Sequence, residues 1–119
     1  MKILASLAVI IVALLHFGFL ALEMFYWDHP VGQNIFSMTP EQSAETAVLA
    51  ANQGLYNGFL AAGLMWGVIA RKGDVVIFFL LCVMVAGVFG AITAKPTILL
   101  TQTAPAALAL LFTMLARRR

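Results

Sequence analysis

The stretch LAANQGLYNGFLAAGLMWG, residues Leu49 to Gly67, decides how the rest of the chain must be arranged. It is apolar enough for a lipid bilayer, yet it carries Asn52, Gln53, Tyr56 and Asn57 within six residues. Polar side chains inside a membrane are costly unless a neighbouring helix satisfies them. The stretch therefore predicts a polar surface on another helix that faces it.

The composition is that of an integral membrane protein. Of the 119 residues, 63% are hydrophobic and 10% are charged, whereas soluble domains have about 45–50% apolar and 25% charged residues. The single Cys82 excludes an intrachain disulfide, no metal-ligand spacing is present, and the net charge of +2 is not arranged for nucleic acid binding. We expect the lipid bilayer as a partner, and no nucleic acid, metal or cofactor.

Four apolar helices are predicted, at residues of about 3–27, 40–70, 75–93 and 98–116. A membrane-spanning helix needs about 20 residues, so the expected fold class is all-α, a four-transmembrane-helix bundle in a single membrane domain. Thr39 to Gln42 form a capping box with proline at the first helical position, which predicts the start of the second helix. A signal peptide is the alternative for the first segment. The run is longer than a signal peptide's hydrophobic region of about 7–15 residues and has no A-x-A site.

The distribution of positive charge predicts the orientation. Lys2, Arg71, Lys72 and the tail Arg117 to Arg119 fall on one side of such a bundle, whereas Lys95 falls on the other with three acidic residues. Positive loops stay in the cytoplasm, so both termini are expected there, in the bacterial cytoplasmic (inner) membrane. The terminal arginines are expected to hold the last helix at the membrane edge.

The first helix carries the expected partners of the polar stretch. With the helix centred near Leu15, a rise of about 1.5 Å per residue places His16 near the midplane of the membrane and Glu23 roughly 12 Å outward from the midplane. The residues of the second helix fall at matching depths, and Gln102 falls in the same half. His16, Glu23 and Trp27 follow one helical face. We therefore expect an outward-facing polar pocket lined by Trp27, Asn52, Gln53, Tyr56, Asn57 and Gln102, with His16 and Glu23 as acid and base.

Each of these residues also has a structural interpretation. His16 and the amides can simply join helices by hydrogen bonds, and Glu23 can extend to the outer interface. Gly54 with Gly58, and Gly63 with Gly67, are small-xxx-small spacings that predict close helix packing without naming the partner helix.

The sequence leaves three functions open. The first is binding of a small amphipathic or hydrophobic molecule, with or without acid–base chemistry, so whether the protein is an enzyme is not decided. The second is a small transporter acting as a homodimer. The third is a structural or accessory membrane subunit.

The segment LEMFYW, residues Leu22 to Trp27, after His16, together with the second-helix stretch, resembles the domain of unknown function 1304 family of small four-helix membrane proteins. The resemblance covers essentially the whole chain. It implies that the family's signature positions fall at His16, Glu23, Trp27, Asn52, Gln53, Gly54, Tyr56, Asn57 and Gln102. It implies the fold and the membrane location, but no reaction.

Overall fold

The protein is all-α over residues 2–117, the part of the chain that this computed structural model describes. It contains five α-helices, which are α1 (Lys2–Phe25), α2 (Pro30–Ile35), α3 (Pro40–Ile69), α4 (Gly73–Thr93) and α5 (Ala104–Arg117). A π-helical turn, Leu99–Thr103, comes directly before α5. Arg118 and Arg119 of the predicted membrane-edge tail lie outside the described residues.

Three helical segments are long and apolar enough to cross a membrane by length and composition: Lys2–Phe25, Gly73–Thr93 and Leu99–Arg117. The sequence predicts four. The segment that differs is α3. Its 30 residues are long enough to cross a membrane, but its amides and its charged first turn make it less apolar than the other three segments. The structure therefore indicates an all-helical membrane protein with three evident spans.

The segment between α1 and α3 contains a short helix that the sequence analysis does not predict. His29 caps α2, since its Nδ1 accepts a hydrogen bond from the backbone of Val31 at 3.1 Å, and Pro30 occupies the first helical position. Histidine is not among the usual capping residues, so the sequence signal is weak. Gly32 is buried against the carbonyl oxygens of Tyr26 and Trp27, where a Cβ would clash.

The predicted start of α3 is confirmed. The backbone of Gln42 donates to Thr39 Oγ1 at 3.1 Å, and Gln42 Oε1 accepts from the backbone of Thr39 at 2.9 Å. These reciprocal bonds satisfy two donors that the first helical turn would otherwise leave open. At the other end of α3, Arg71 adopts a left-handed conformation with φ of 56°, and the backbone of Lys72 donates back to Gly67. This is a common helix-ending motif, usually with glycine at the left-handed position.

The π-helical turn before α5 has a cause in the sequence. Pro105 has no backbone N–H, and in a regular α-helix its ring would clash with the carbonyl of Thr101. A turn with wider hydrogen-bond spacing accommodates the proline. The turn packs on α4, where Gly87 lies against Thr103 and a Cβ would not fit.

The described chain divides into two compact units. We call residues 15–59 the polar unit and residues 2–14 with 60–117 the aliphatic unit. The core of the aliphatic unit consists of small and branched apolar side chains from α1, α3, α4 and α5: Val9, Val12, Ala13, Ala61, Leu64, Val76, Leu80, Val83, Ala106 and Ala109. The polar unit contains the end of α1, all of α2 and the first two-thirds of α3, and most of the predicted site residues belong to it.

Candidate functional site

The centre of the candidate site is a hydrogen bond between α1 and α3 within the polar unit. Asn57 Nδ2 donates to Glu23 Oε1 in a short contact. Asn57 is only 5% exposed, and Glu23 is half-buried. Thus the structure brings together two of the predicted site residues from different helices. The carboxylate accepts and the amide donates, so the pair fixes the orientation of the acidic group.

Glycine allows the two helices to come this close. A Cβ at Gly54 would lie 2.7 Å from Met24 Cγ and 3.0 Å from Glu23 Cβ, and a Cβ at Gly58 would lie 2.6 Å from Leu20 Cδ1. The first predicted glycine pair of α3 therefore packs against α1. The second pair lies in the aliphatic unit, where Gly63 packs against the ring of Phe79 and Gly67 against Val76.

His16 is fully buried. Its ring contacts Phe19 edge-to-face with the centroids 5.1 Å apart. Glu23 follows it by seven positions on α1, which corresponds to a rise of roughly 10 Å. The candidate acid and base therefore lie two helical turns apart along the same helix.

The other three predicted site residues of α3, Asn52, Gln53 and Tyr56, are exposed on the protein surface. Asn52 Nδ2 donates to the carbonyl of Val48, one turn earlier in its own helix, at 3.0 Å. Gln53 is exposed, and Tyr56 is 56% exposed, with its ring 6.0 Å from that of Phe59. Helical spacing places Gln53 one turn from Asn57. An amide-bearing surface of α3 thus adjoins the Glu23–Asn57 pair.

Trp27 lies just after the end of α1 and ties that end to α3. Its indole Nε1 donates to Thr46 Oγ1 at 2.8 Å, and its ring packs on Phe36 with the centroids 4.8 Å apart. The indole N–H is thus occupied by a protein partner. Trp27 joins the end of α1 to the first turns of α3, and its contact with a ligand stays a prediction.

A second polar cluster was not predicted from the sequence. Ser43 is fully buried, its Oγ donates to Asp28 Oδ1 at 2.7 Å, and it accepts from Gln33 Nε2 at 3.0 Å. The three residues come from the segment after α1, from α2 and from α3. The sequence around Ser43 shows only a serine in the first turn of a helix. The two residues that bond to it are ten and fifteen positions earlier in the chain, so a local pattern does not indicate the cluster.

Gln102 belongs to the π-helical turn of the aliphatic unit and is half-buried. Its membership of the candidate site stays a prediction. No group of three or more His, Cys, Asp or Glu side chains that could hold a metal ion occurs within residues 2–117. Cys82 is a half-buried free thiol.

The apolar helices and the interhelical acid–amide pair define a small all-helical membrane protein. The model of the DUF1304 family, described as a protein of unknown function, matches residues 10–114, so the chain belongs to this family. It is 30% identical over 115 residues to the uncharacterized protein YpaA of Lactococcus lactis subsp. lactis (strain IL1403), covering 93% of this chain and 97% of the relative. No solved structure matches the chain.

Proposed function

We propose that the polar unit binds a small amphipathic molecule through Glu23 and the amides of α3, in the bacterial cytoplasmic (inner) membrane. The Glu23–Asn57 hydrogen bond is the observation that supports this proposal. An acidic side chain within the bilayer costs free energy, so such a residue by default marks a functional site. Here the carboxyl is held in one orientation beside a surface that carries Gln53 and Tyr56.

In this proposal α3 is a fourth transmembrane helix. Its 30 residues are more than a bilayer crossing needs. Two contacts lower the cost of its amides, because Asn57 bonds to Glu23 and Asn52 bonds to its own backbone. With four spans, the positive-inside rule places both termini in the cytoplasm and the polar layer in the outer half of the membrane. Reporter fusions after Arg119 test this orientation, and a periplasmic signal would overturn it.

The bound molecule has a polar group that hydrogen-bonds with the Glu23 carboxyl and Gln53, and an apolar part that lies along the exposed apolar side chains of α3. Acid–base chemistry is a further step of the same proposal. Because His16 and Glu23 are separated by roughly 10 Å along α1, they would act on different positions of an elongated molecule.

The test compares two acid-to-amide changes in the polar unit. Glu23→Gln keeps the shape and the hydrogen bond to Asn57, whereas Glu45→Gln removes an exposed acid from the same unit and serves as the matched control. Small molecules that co-purify with each variant in detergent are identified by mass spectrometry. The proposal expects a molecule retained by the wild type and Glu45→Gln and lost from Glu23→Gln without loss of thermal stability. Equal retention by Glu23→Gln would contradict it.

A second function, assembly into a homodimer, is favoured by the exposure of Asn52 and Gln53. An amide carries both a donor and an acceptor, so two copies of this surface are complementary around a two-fold axis. Hydrogen bonds between amides are an established form of helix association in lipid. The double change Asn52→Leu, Gln53→Leu should convert a dimer into a monomer in light scattering. Val48→Ala, an exposed change on the same helix, is the control.

A further inference from the structure

The aliphatic unit contains an open cavity of about 720 Å³. It lies where the start of α1, the α3–α4 turn and the end of α5 meet. Three cationic side chains line it, those of Lys2, Arg71 and Arg117. They come from segments far apart in the sequence, so the fold brings the three charges to one place.

The rest of the lining is largely apolar, with Ile3, Leu7 and Val68 among its aliphatic residues. Ile3 is 78% exposed and Leu7 is 52% exposed. No carboxylate is among the described residues that line the cavity. The nearby Asp74 instead accepts a hydrogen bond from the backbone of Val75 at 3.0 Å. A site with several cations beside aliphatic side chains complements a molecule that has an anionic head and a hydrocarbon chain.

The backbone at Arg71 gives a second reason to consider this site. Its φ of 56° is the left-handed conformation, which is unfavourable for residues other than glycine. Glycine is the usual residue at this position of a helix end. An arginine here therefore contributes its side chain at a conformational cost. The side chain of Arg117 lies over Gly73, since a Cβ built at Gly73 would be only 3.0 Å from Arg117 Nη1. The lack of a side chain at Gly73 therefore leaves room for the Arg117 guanidinium at the cavity.

We infer that this cavity binds an anionic phospholipid, with the phosphate between Lys2, Arg71 and Arg117 and an acyl chain along the aliphatic lining. This site is separate from the proposed ligand site of the polar unit, and neither depends on the other.

The neighbouring Lys72 provides the matched control. Lys72 has the same charge as Arg71 and directly follows it in the chain. Its Nζ, however, lies over the ring of Trp66, 5.9 Å from the centroid, and Lys72 is not part of the cavity lining. General attraction to an anionic membrane surface would involve both residues equally. Binding in the cavity requires Arg71 and not Lys72.

Native mass spectrometry of the detergent-purified protein with equal amounts of dioleoylphosphatidylglycerol and dioleoylphosphatidylcholine tests the inference. The wild type should retain the phosphatidylglycerol selectively. Arg71→Gln and Arg117→Gln should each lower its retention about fivefold, the effect expected for one cation near a lipid surface, and Lys72→Gln should lower it less than twofold. Equal losses for Arg71→Gln and Lys72→Gln, or equal retention of both lipids, would overturn the inference.

Two further measurements separate the lipid from its phosphate and binding from folding. Glycerol 1-phosphate, which has no acyl chain, should not displace phosphatidylglycerol at millimolar concentration, and displacement would show that the aliphatic lining is not used. Arg71→Gly removes the charge and also relieves the left-handed backbone. It should be at least as stable thermally as the wild type and still lose the lipid. Lipid retention by this variant would contradict the role of the Arg71 side chain.

Discussion

The polar unit and the aliphatic unit are stabilised by different interactions. In the polar unit, side-chain hydrogen bonds join separate segments, as in Glu23 with Asn57 and Ser43 with Asp28. In the aliphatic unit, the core consists of apolar side chains that interdigitate around glycines. One of its buried hydroxyls, Thr113 Oγ1, donates to the carbonyl of Ala109 in the same helix at 2.8 Å.

This difference bears on the proposed location of the ligand site. In lipid, close packing of small residues is sufficient to associate helices, and buried polar groups are not required for it. The aliphatic unit shows that this chain uses such packing. The interhelical acid and amide of the polar unit are therefore not required for helix association as such, which is why the ligand site is proposed in that unit.

The largest expected loss of stability comes from adding a side chain at a glycine that packs against another helix of the aliphatic unit. A Cβ at Gly67 would lie 3.0 Å from the backbone nitrogen of Val76, which cannot move independently of α4. Overpacking of this kind costs about 1–3 kcal/mol or more, so Gly67→Leu should unfold or aggregate in detergent at a much lower temperature. Fluorescence-detected size exclusion after heating measures the change.

Gly18→Leu is the control for that substitution, because a Cβ at Gly18 would meet nothing within 4 Å. It should change the stability by less than about 0.5 kcal/mol. If both leucine variants are equally stable, close packing does not hold the aliphatic unit together, and the contrast between the units fails.

The sequence predicts features that are local in the chain. The capping box of Thr39 and Gln42 needs only four consecutive residues, and the structure contains it. The four glycines of α3 are recognisable from their spacing, although the spacing does not say that the first pair meets α1 and the second α4. A capping histidine is a weaker local signal, which is why α2 is missing from the prediction.

The candidate site is harder to predict because it depends on the rotation of one helix against another. The i, i+4 spacing groups Gln53 with Asn57 on one stripe of α3, but only Asn57 is turned inward. A rotation of a few tens of degrees decides which of the two amides meets Glu23. The cluster around Ser43 depends on three separate segments, so no pattern within one of them indicates it.

The second prediction concerns the interhelical pair of the polar unit. Asn57→Leu leaves the half-buried Glu23 carboxyl without its amide donor, which should cost about 1–3 kcal/mol of stability. Glu23→Gln should cost nothing, since the amide can still accept from Asn57. The double change Glu23→Leu, Asn57→Leu should recover much of the loss. A double-mutant cycle with zero coupling would show that the hydrogen bond does not stabilise the unit.

The third prediction compares one buried hydroxyl from each unit. Ser43→Ala removes the partner of both Asp28 and Gln33, so it should lower the stability by about 1–2 kcal/mol. Thr113→Val removes a hydroxyl that bonds only within its own helix, and its effect should be smaller than about 0.5 kcal/mol. Thermal denaturation followed by circular dichroism distinguishes the two. Equal losses would mean that hydroxyls contribute alike in both units.

The smallest expected effect separates hydrogen bonding from packing at Trp27. Trp27→Phe removes the bond to Thr46 but keeps an aromatic ring that can stack on Phe36, so it should cost about 0.5–1.5 kcal/mol. Thr46→Val removes the acceptor and should give a similar loss, and the double variant should be no worse than either single one. Additive losses would instead mean that the Trp27 ring, and not its N–H, joins the end of α1 to α3. In that case the part of the polar unit around Trp27 would be stabilised by packing, as the aliphatic unit is, and only the Glu23–Asn57 pair and the Ser43 cluster would distinguish the two units.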